Sequence, residues 1–333
     1  MSSFFSFTAL DRIGNSNSLI KLNKLLDWSR IEKKLIGIHK NDKDAIAGQK
    51  PYDHIKMFKA LLLSQWHSLS DPALEESLRV RLDFMVFTGF EFCEDIPDET
   101  TICRFRNKLI EKGLDKKLFE EINSQLENLG LKIKNANGAV VDATIVESSA
   151  RPNRQIEIQE DRNEESSFNT QIIESKDPDG RWLKKGSKSF YGYKGFIAVD
   201  VDKGFIDKIH VTSANVAEVN QLHHIVDKYE NKRIFADKGY ASKGNREFLK
   251  EKKLKDGIMC KATNGKALNK WEKMKNKLIS KKRYIVEQCF GTLKRKFNFN
   301  KSRYIGIIKV KAEFHFKSIC FNLLKATNMI KIA

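Results

Sequence analysis

A chain of 333 residues is long enough for one large domain or two ordinary ones, with ample core. Its apolar fraction of 41% and its 22 Phe exclude a disordered chain, and no apolar run is long enough to cross a bilayer. The formal net charge of +18 points to a polyanionic partner, of which nucleic acid is the usual one.

The predicted elements begin with an amphipathic helix over about Leu19 to Ile36, followed by a polar, Gly-containing break. Asp53 caps a second helix, His54 to Ser68. Ser70-Asp-Pro-Ala-Leu-Glu-Glu76 is another start signal, opening helices to Arg81 and to Thr88. Pro97-Asp-Glu-Thr-Thr101 opens a third, leading into Ile102 to Leu129. No alternating strand pattern precedes Lys132, so residues 1–134 read as all-helical. Arg104, Arg106 and Lys108 follow the third start signal, as in a recognition helix that reads DNA; a basic bundle helix fits them equally well.

The character then changes. Gly138 to Val146 is a short apolar run typical of a buried strand. A polar stretch over about 147–189 reads as a long loop or inserted segment. Tyr191 to Val201 and Phe205 to Ser213 form a hairpin through Asp202-Lys-Gly204. Helix Ala217 to Tyr229, strand Arg233 to Ala236, helix Ser242 to Lys253 and strand Gly257 to Cys260 follow. A basic helix over Lys281 to Phe297 and a Phe-rich one over Val310 to Met329 close the chain. That order predicts an α/β fold, a mixed sheet with helices on its faces.

The basic charge concentrates near the end. Residues 270–303 hold twelve Lys or Arg against two Glu, interleaved with Trp271, Tyr284, Phe290, Phe297 and Phe299. On the helix wheel Ile285, Val286, Cys289, Leu293 and Phe297 make a core-facing stripe. Beside it run Arg283, Glu287 and Lys294, which fit either a metal ligand between phosphate-binding cations or a solvated Arg–Glu pair. The five cysteines are scattered without zinc spacing and read as reduced thiols of a cytoplasmic protein. No signal peptide is visible.

Asp142 lies inside an apolar strand, where an unpaired carboxylate is costly. Asp237 ends another and fits a turn cap as well as a ligand. With Glu287 they make three hard-oxygen donors of the kind that hold two divalent cations for phosphodiester chemistry. Asp200, Asp202 and Asp207 surround the hairpin and read as turn and surface residues.

Val-Val-Asp142-Ala-Thr, Ala-Asp237-Lys-Gly-Tyr and Arg283-x3-Glu287-x6-Lys294 together resemble the DDE transposases of bacterial insertion sequences, specifically the insertion-sequence-five group. Met57 to Trp66, Leu69 to Glu76 and Pro97 to Thr101 resemble that group's helical domain, so the likeness spans most of the chain. The resemblance implies an RNase H-like catalytic domain over residues 135–333, preceded by a DNA-binding and assembly domain. It implies that Asp142, Asp237 and Glu287 bind two Mg²⁺ ions, with Mn²⁺ able to substitute. Arg283 and Lys294 are then DNA contacts, with Lys282, Arg295, Arg104 and Arg106 as further candidates. The partners implied are double-stranded DNA, as the element's terminal inverted repeats and as target, and a second copy of the chain in a dimer or larger complex. One position departs from the pattern: Ser280 occupies the slot where the family carries Tyr, with Tyr284 facing another way. A catalytically inactive DNA-binding relative and a general nuclease of the same fold are the rival readings.

Overall fold

The computed structural model describes residues 4–38, 51–134, 136–150, 152, 157–160, 168–171, 175–227, 229–262 and 267–330. It divides into two compact units: residues 1–135, 291–298 and 315–333, and residues 136–290 and 299–314.

The first unit is helical. Its elements are α1 (Phe4–Ile13), α2 (Ser18–Leu25), α3 (Trp28–Leu35), α4 (His54–Trp66), α5 (Asp71–Val80), α6 (Leu82–Thr88), α7 (Glu99–Glu111) and α8 (Leu114–Asn128). The caps lie where short polar side chains can satisfy free N–H groups. Asp53 accepts from Ile55 and Lys56, Ser70 from Ala73, and Asp98 from Thr101. Two helices expected to be continuous are broken. The expected Leu19 to Ile36 helix parts at Leu26, and Asp27 restarts it by accepting from the N–H groups of Ser29 and Arg30. The expected Ile102 to Leu129 helix parts at Gly113, whose φ of +60° is the left-handed conformation that suits glycine. Most of the polar break expected before Asp53 lies outside the described residues.

α4 is buried along nearly its whole length, including Lys59. The Lys59 ammonium donates to the Asn23 side-chain oxygen at 2.8 Å and stands 4.3 Å from the Trp28 ring centre. Burial pulls its pKa down to about 8. The unfolded chain therefore binds the extra proton between about pH 8 and the ordinary lysine value, and stability from this group rises with pH across that window. Buried Cys320, pushed up to about 12 by burial, acts in the opposite direction above the ordinary thiol range. The Lys59 effect is thus read by difference. Lys59→Met is expected to stabilise the protein at pH 7 by up to about 3 kcal/mol, with the gap to wild type closing by pH 10 in urea titrations.

The second unit carries the sheet. β1 (Gly138–Glu147) pairs antiparallel with β5 (Lys188–Asp200) on one side and parallel with β7 (Arg233–Ala236) on the other. β8 (Lys255–Ile258) extends the parallel side, and β6 (Ile206–Ser213) and β4 (Arg181–Lys185) pair with β5. A separate hairpin joins β2 (Glu157–Glu160) to β3 (Phe168–Gln171). One face of the sheet packs Val141, Phe196, Ala198 and Ala236 against Leu222, Ile225 and Val226 of α9 (Leu222–Val226) and Leu249 of α10 (Lys243–Glu251). The expected helix over Ala217 to Tyr229 is shorter, a 3₁₀ turn over Glu218–Gln221 running into α9. α11 (Lys270–Arg295) and α12 (Ile307–Met329) complete the described elements. Phe314 stacks on Phe299 with ring centres 4.6 Å apart.

The polar stretch 147–189 is not only loop. It contributes β2, β3, β4 and the start of β5, while residues 153–156, 161–167 and 172–174 lie outside the described residues. What orders its end is Asp177, fully buried, whose carboxylate accepts from the hydroxyls of Ser148 and Tyr193 at 2.5 Å each. Asp200 is likewise fully buried rather than at the surface. Its carboxylate caps the hairpin turn, accepting from the N–H groups of Asp202, Lys203, Gly204 and Phe205.

Two glycines let β7 sit tightly between its neighbours. A Cβ on Gly257 would fall 2.6 Å from the Ile234 carbonyl oxygen, and one on Gly138 2.5 Å from that of Arg233. Backbone cannot yield there without breaking the parallel ladders. Gly257→Ala is expected to cost about 1–3 kcal/mol, read as a lower urea midpoint with an unchanged slope.

Candidate active site

Val141 points into the core face described above, so its neighbour Asp142 points to the other, by the two-residue alternation of a strand. The printed register of the parallel pair β1–β7 ends at Val141 opposite Ala236. Asp142 is the next residue of β1, and Asp237 is the residue just past the end of β7. Two carboxylates from distant parts of the chain therefore emerge side by side.

Between them lies Arg283 of α11. Its Nη2 donates to Asp142 Oδ2 at 2.8 Å, and its Nη1 stands 3.5 Å from Asp237 Oδ1. Both aspartates also turn an oxygen to backbone: Asp142 Oδ1 accepts from Ala143 N at 2.9 Å and Asp237 Oδ1 from Lys238 N at 2.7 Å. Asp237 is thus a turn cap and a member of the carboxylate pair at once. Burial holds the Asp142 carboxyl above the usual carboxylate range, against the opposing pull of Arg283. Burial lowers the Arg283 pKa, but the Asp142 and Asp237 carboxylates more than offset it and raise it overall. The Nε of Arg283 is buried without a hydrogen-bond partner.

Glu287, one turn beyond Arg283, is exposed; its charge acts on the Arg283 guanidinium. The structure brings Asp142, Asp237 and Arg283 together and leaves Glu287 at the rim. Among the described residues no three His, Cys, Asp or Glu side chains stand close enough to hold one metal ion. The donor set nevertheless suits a hard divalent cation: two adjacent carboxylates whose shared space is filled by the positive charge of Arg283.

The cationic candidates divide. Lys282, Arg295 and Arg104 are exposed, and Lys294 is half-buried. Arg106 is not presented to solvent. It is 5% exposed, and its guanidinium forks onto Asp71 at 2.7 and 2.9 Å. The expectation that Arg106 contacts DNA gives way to a structural ion pair, because Asp71 at the start of α5 neutralises it within the fold. Ser280 and Tyr284 are both exposed on α11. Two groups within electrostatic reach of both carboxylates were not foreseen, Glu218 and Tyr240. Tyr240 stands in the Ala-Asp237-Lys-Gly-Tyr240 stretch, whose tyrosine was available as a signal.

The model of the family described as "Transposase DDE domain" matches residues 135–323, and that described as "Transposase domain (DUF772)" matches residues 7–108. The chain belongs to the DDE transposases. It is 38% identical over 273 residues to the "Transposase for insertion sequence element IS1106" of Neisseria meningitidis serogroup B, covering 81% of this chain and 90% of that one. A cryo-EM structure of piggyBac transposase in a synaptic complex with hairpin DNA aligns with 94% of this chain and 75% of its own. That likeness has a TM-score of 0.46 at 11% identity, too weak to bear on this transposase. The family and the sheet together establish an RNase H-like fold: an antiparallel pair and a parallel pair flanking the central β1, with helices on the faces. No helix among the described residues is long and apolar enough to cross a membrane.

Proposed function

We propose that this transposase binds the terminal inverted repeats of its own insertion sequence, cuts the DNA at the ends and joins the freed 3′-hydroxyls to target DNA. The observation that carries this reading is the pair Asp142 and Asp237, each the residue after the last matched pair of β1 and β7, bridged by Arg283.

Asp142, Asp237 and Glu287 are the residues that would hold divalent metal, Mg²⁺ or Mn²⁺, with two ions proposed. When bound, such ions supply Lewis-acid polarisation of the phosphodiester and a more acidic water or hydroxyl. Asp142 and Asp237 provide hard oxygens on rigid strands, which fixes where the scissile phosphate must lie. Glu287 sits one turn from Arg283 on the same helix, α11, and would supply the third carboxylate. With a cation balancing Asp142 and Asp237, Arg283 would be available to pair with a DNA phosphate. Lys282, Lys294 and Arg295 on the same helix, with Arg104 on α7, supply sequence-independent phosphate contacts. Residues 1–134 would serve as the DNA-binding and assembly domain and 135–333 as the catalytic one. Both element ends must be held at once, which requires a dimer or larger complex on DNA.

The test is joining: a labelled duplex ending in the element's repeat with a free 3′-hydroxyl, incubated with plasmid and Mg²⁺. Covalent transfer to the plasmid is expected. Tight binding without transfer under any divalent ion would point instead to an inactive DNA-binding relative.

A further inference from the structure

The carboxylate pair has a second wall, and its carboxylate, Glu218, lies outside the family motifs quoted above. Glu218 opens the 3₁₀ turn after β6 and is only partly exposed. Its Oε1 lies 3.8 Å from the ammonium of Lys194, a buried residue of β5 that donates to the Val216 carbonyl at 2.8 Å. Its Oε2 lies against the turn that carries Asp237, since a Cβ on Gly239 would stand 3.3 Å from it. Burial raises the Glu218 pKa, and Asp142 and Asp237 add to the shift in spite of Lys194. Glu218 therefore shares one electrostatic environment with both aspartates.

A separate observation comes from Tyr240. This residue is 0% exposed, and its hydroxyl is buried with no hydrogen-bond partner. It lies within electrostatic reach of Asp142, Glu218, Arg283 and Asp237. A buried hydroxyl without a partner is costly, and nothing in the apolar packing of the ring requires the oxygen. Its partner is then something that enters the site.

We propose that Glu218 and Tyr240 are positioning residues for the divalent cation of this site, holding through hydrogen bonds the water that a hard cation keeps when only carboxylates ligate it. The inference rests on the carboxylate reading above. Glu218 accepts and Tyr240 donates or accepts, so together they fix the water from two sides, while Lys194 holds the Glu218 carboxylate in place by opposite charge.

The experiment is calorimetric titration of the full chain with Mn²⁺ alone, each variant paired with its thermal midpoint in metal-free buffer. Glu218→Gln and Tyr240→Phe are each expected to weaken Mn²⁺ binding at least about tenfold while melting, without metal, at or above the wild-type midpoint. Asp142→Asn is expected to remove binding. Wild-type Mn²⁺ affinity in both Glu218→Gln and Tyr240→Phe, with Asp142→Asn still deficient, overturns the inference and leaves the carboxylate reading standing. Failure of the wild type to bind Mn²⁺ overturns that reading and this inference with it. Should Glu218→Gln fail to fold, Glu218→Asp, which keeps the charge and draws the carboxylate back by one methylene, reads the same contact; unchanged affinity there is equally fatal.

Discussion

Asp142→Asn, Asp237→Asn and Glu287→Gln are each expected to lower DNA strand cleavage by at least about a thousandfold while leaving the chain folded. Each substitution keeps size and hydrogen-bonding capacity and removes one negative charge, so packing changes little and cation affinity changes greatly. The three differ in their effect on stability. Asp142 is held above the usual carboxylate range by burial, so its ionised form is disfavoured in the fold, and Asp142→Asn relieves that cost. The sign follows from the raised value: the cost is absent below the ordinary aspartate range and grows as pH rises through the folded value. Metal-free Asp142→Asn is therefore expected to melt at or above the wild-type temperature at pH 7, and the advantage to vanish near pH 4. Glu287 is exposed, and Glu287→Gln is expected to leave the midpoint unchanged. Added Mg²⁺ should raise the wild-type midpoint and not that of Asp142→Asn or Asp237→Asn. Loss of cleavage accompanied by unfolding would mean that the carboxylates are structural.

The second large effect concerns stability. Arg106→Ala is expected to destabilise the protein by about 3–5 kcal/mol, seen as a large drop in urea midpoint, because it strands Asp71 beside an emptied pocket. The guanidinium is nearly fully buried and meets both Asp71 oxygens in a fork, a geometry that Lys cannot reproduce. Asp71→Asn should be costly too, since it removes the counter-charge of the nearly buried Arg106 and sets an amide N–H against one arm of the guanidinium fork. Arg104→Ala, two residues away on the exposed side of α7, is expected to weaken DNA binding and steepen no unfolding curve. If Arg106→Ala were fully stable and selectively deficient in DNA binding, the ion-pair assignment would be wrong.

The contrast between Arg104 and Arg106 shows where sequence reading works and where it stops. The start signals at Asp53, at Ser70 and over Pro97 to Thr101 were legible because capping is a contact within three residues. The strand Gly138–Glu147 was legible as an apolar run, and Asp142 stood out within it because a charge there needs a reason. Breaks inside periodic segments were harder. Leu25 and Leu26 continue the apolar pattern through the end of α2, and only the Asp27 cap marks the restart. Gly113 marks the other break by a backbone angle that composition alone leaves open.

Contacts far apart in sequence were legible only as motifs. Arg283 and Asp142 are 141 residues apart, and nothing local says that the guanidinium bridges two carboxylates. The resemblance placed Arg283 on DNA phosphate; the fold shows what it does when no phosphate is present. Arg106 and Asp71, 35 residues apart, follow the same rule. Glu218 had no sequence signal beyond its place at the start of a helix, because its role depends on the Asp237 turn folding against it. The strands within 147–189 were hidden by polar composition, and their end is pinned by the single buried carboxylate of Asp177.

The most direct test of the central claim maps the cut. A duplex carrying the element's inverted repeat with flanking DNA is incubated with the wild-type chain in Mg²⁺, and the product ends are sequenced beside Asp237→Asn. The expected result is a metal-dependent break at the repeat boundary with a 3′-hydroxyl, made by the wild type and absent from Asp237→Asn. Equal cleavage by both proteins, or cleavage that persists in EDTA, would contradict the assignment of Asp142, Asp237 and Glu287 as the catalytic centre.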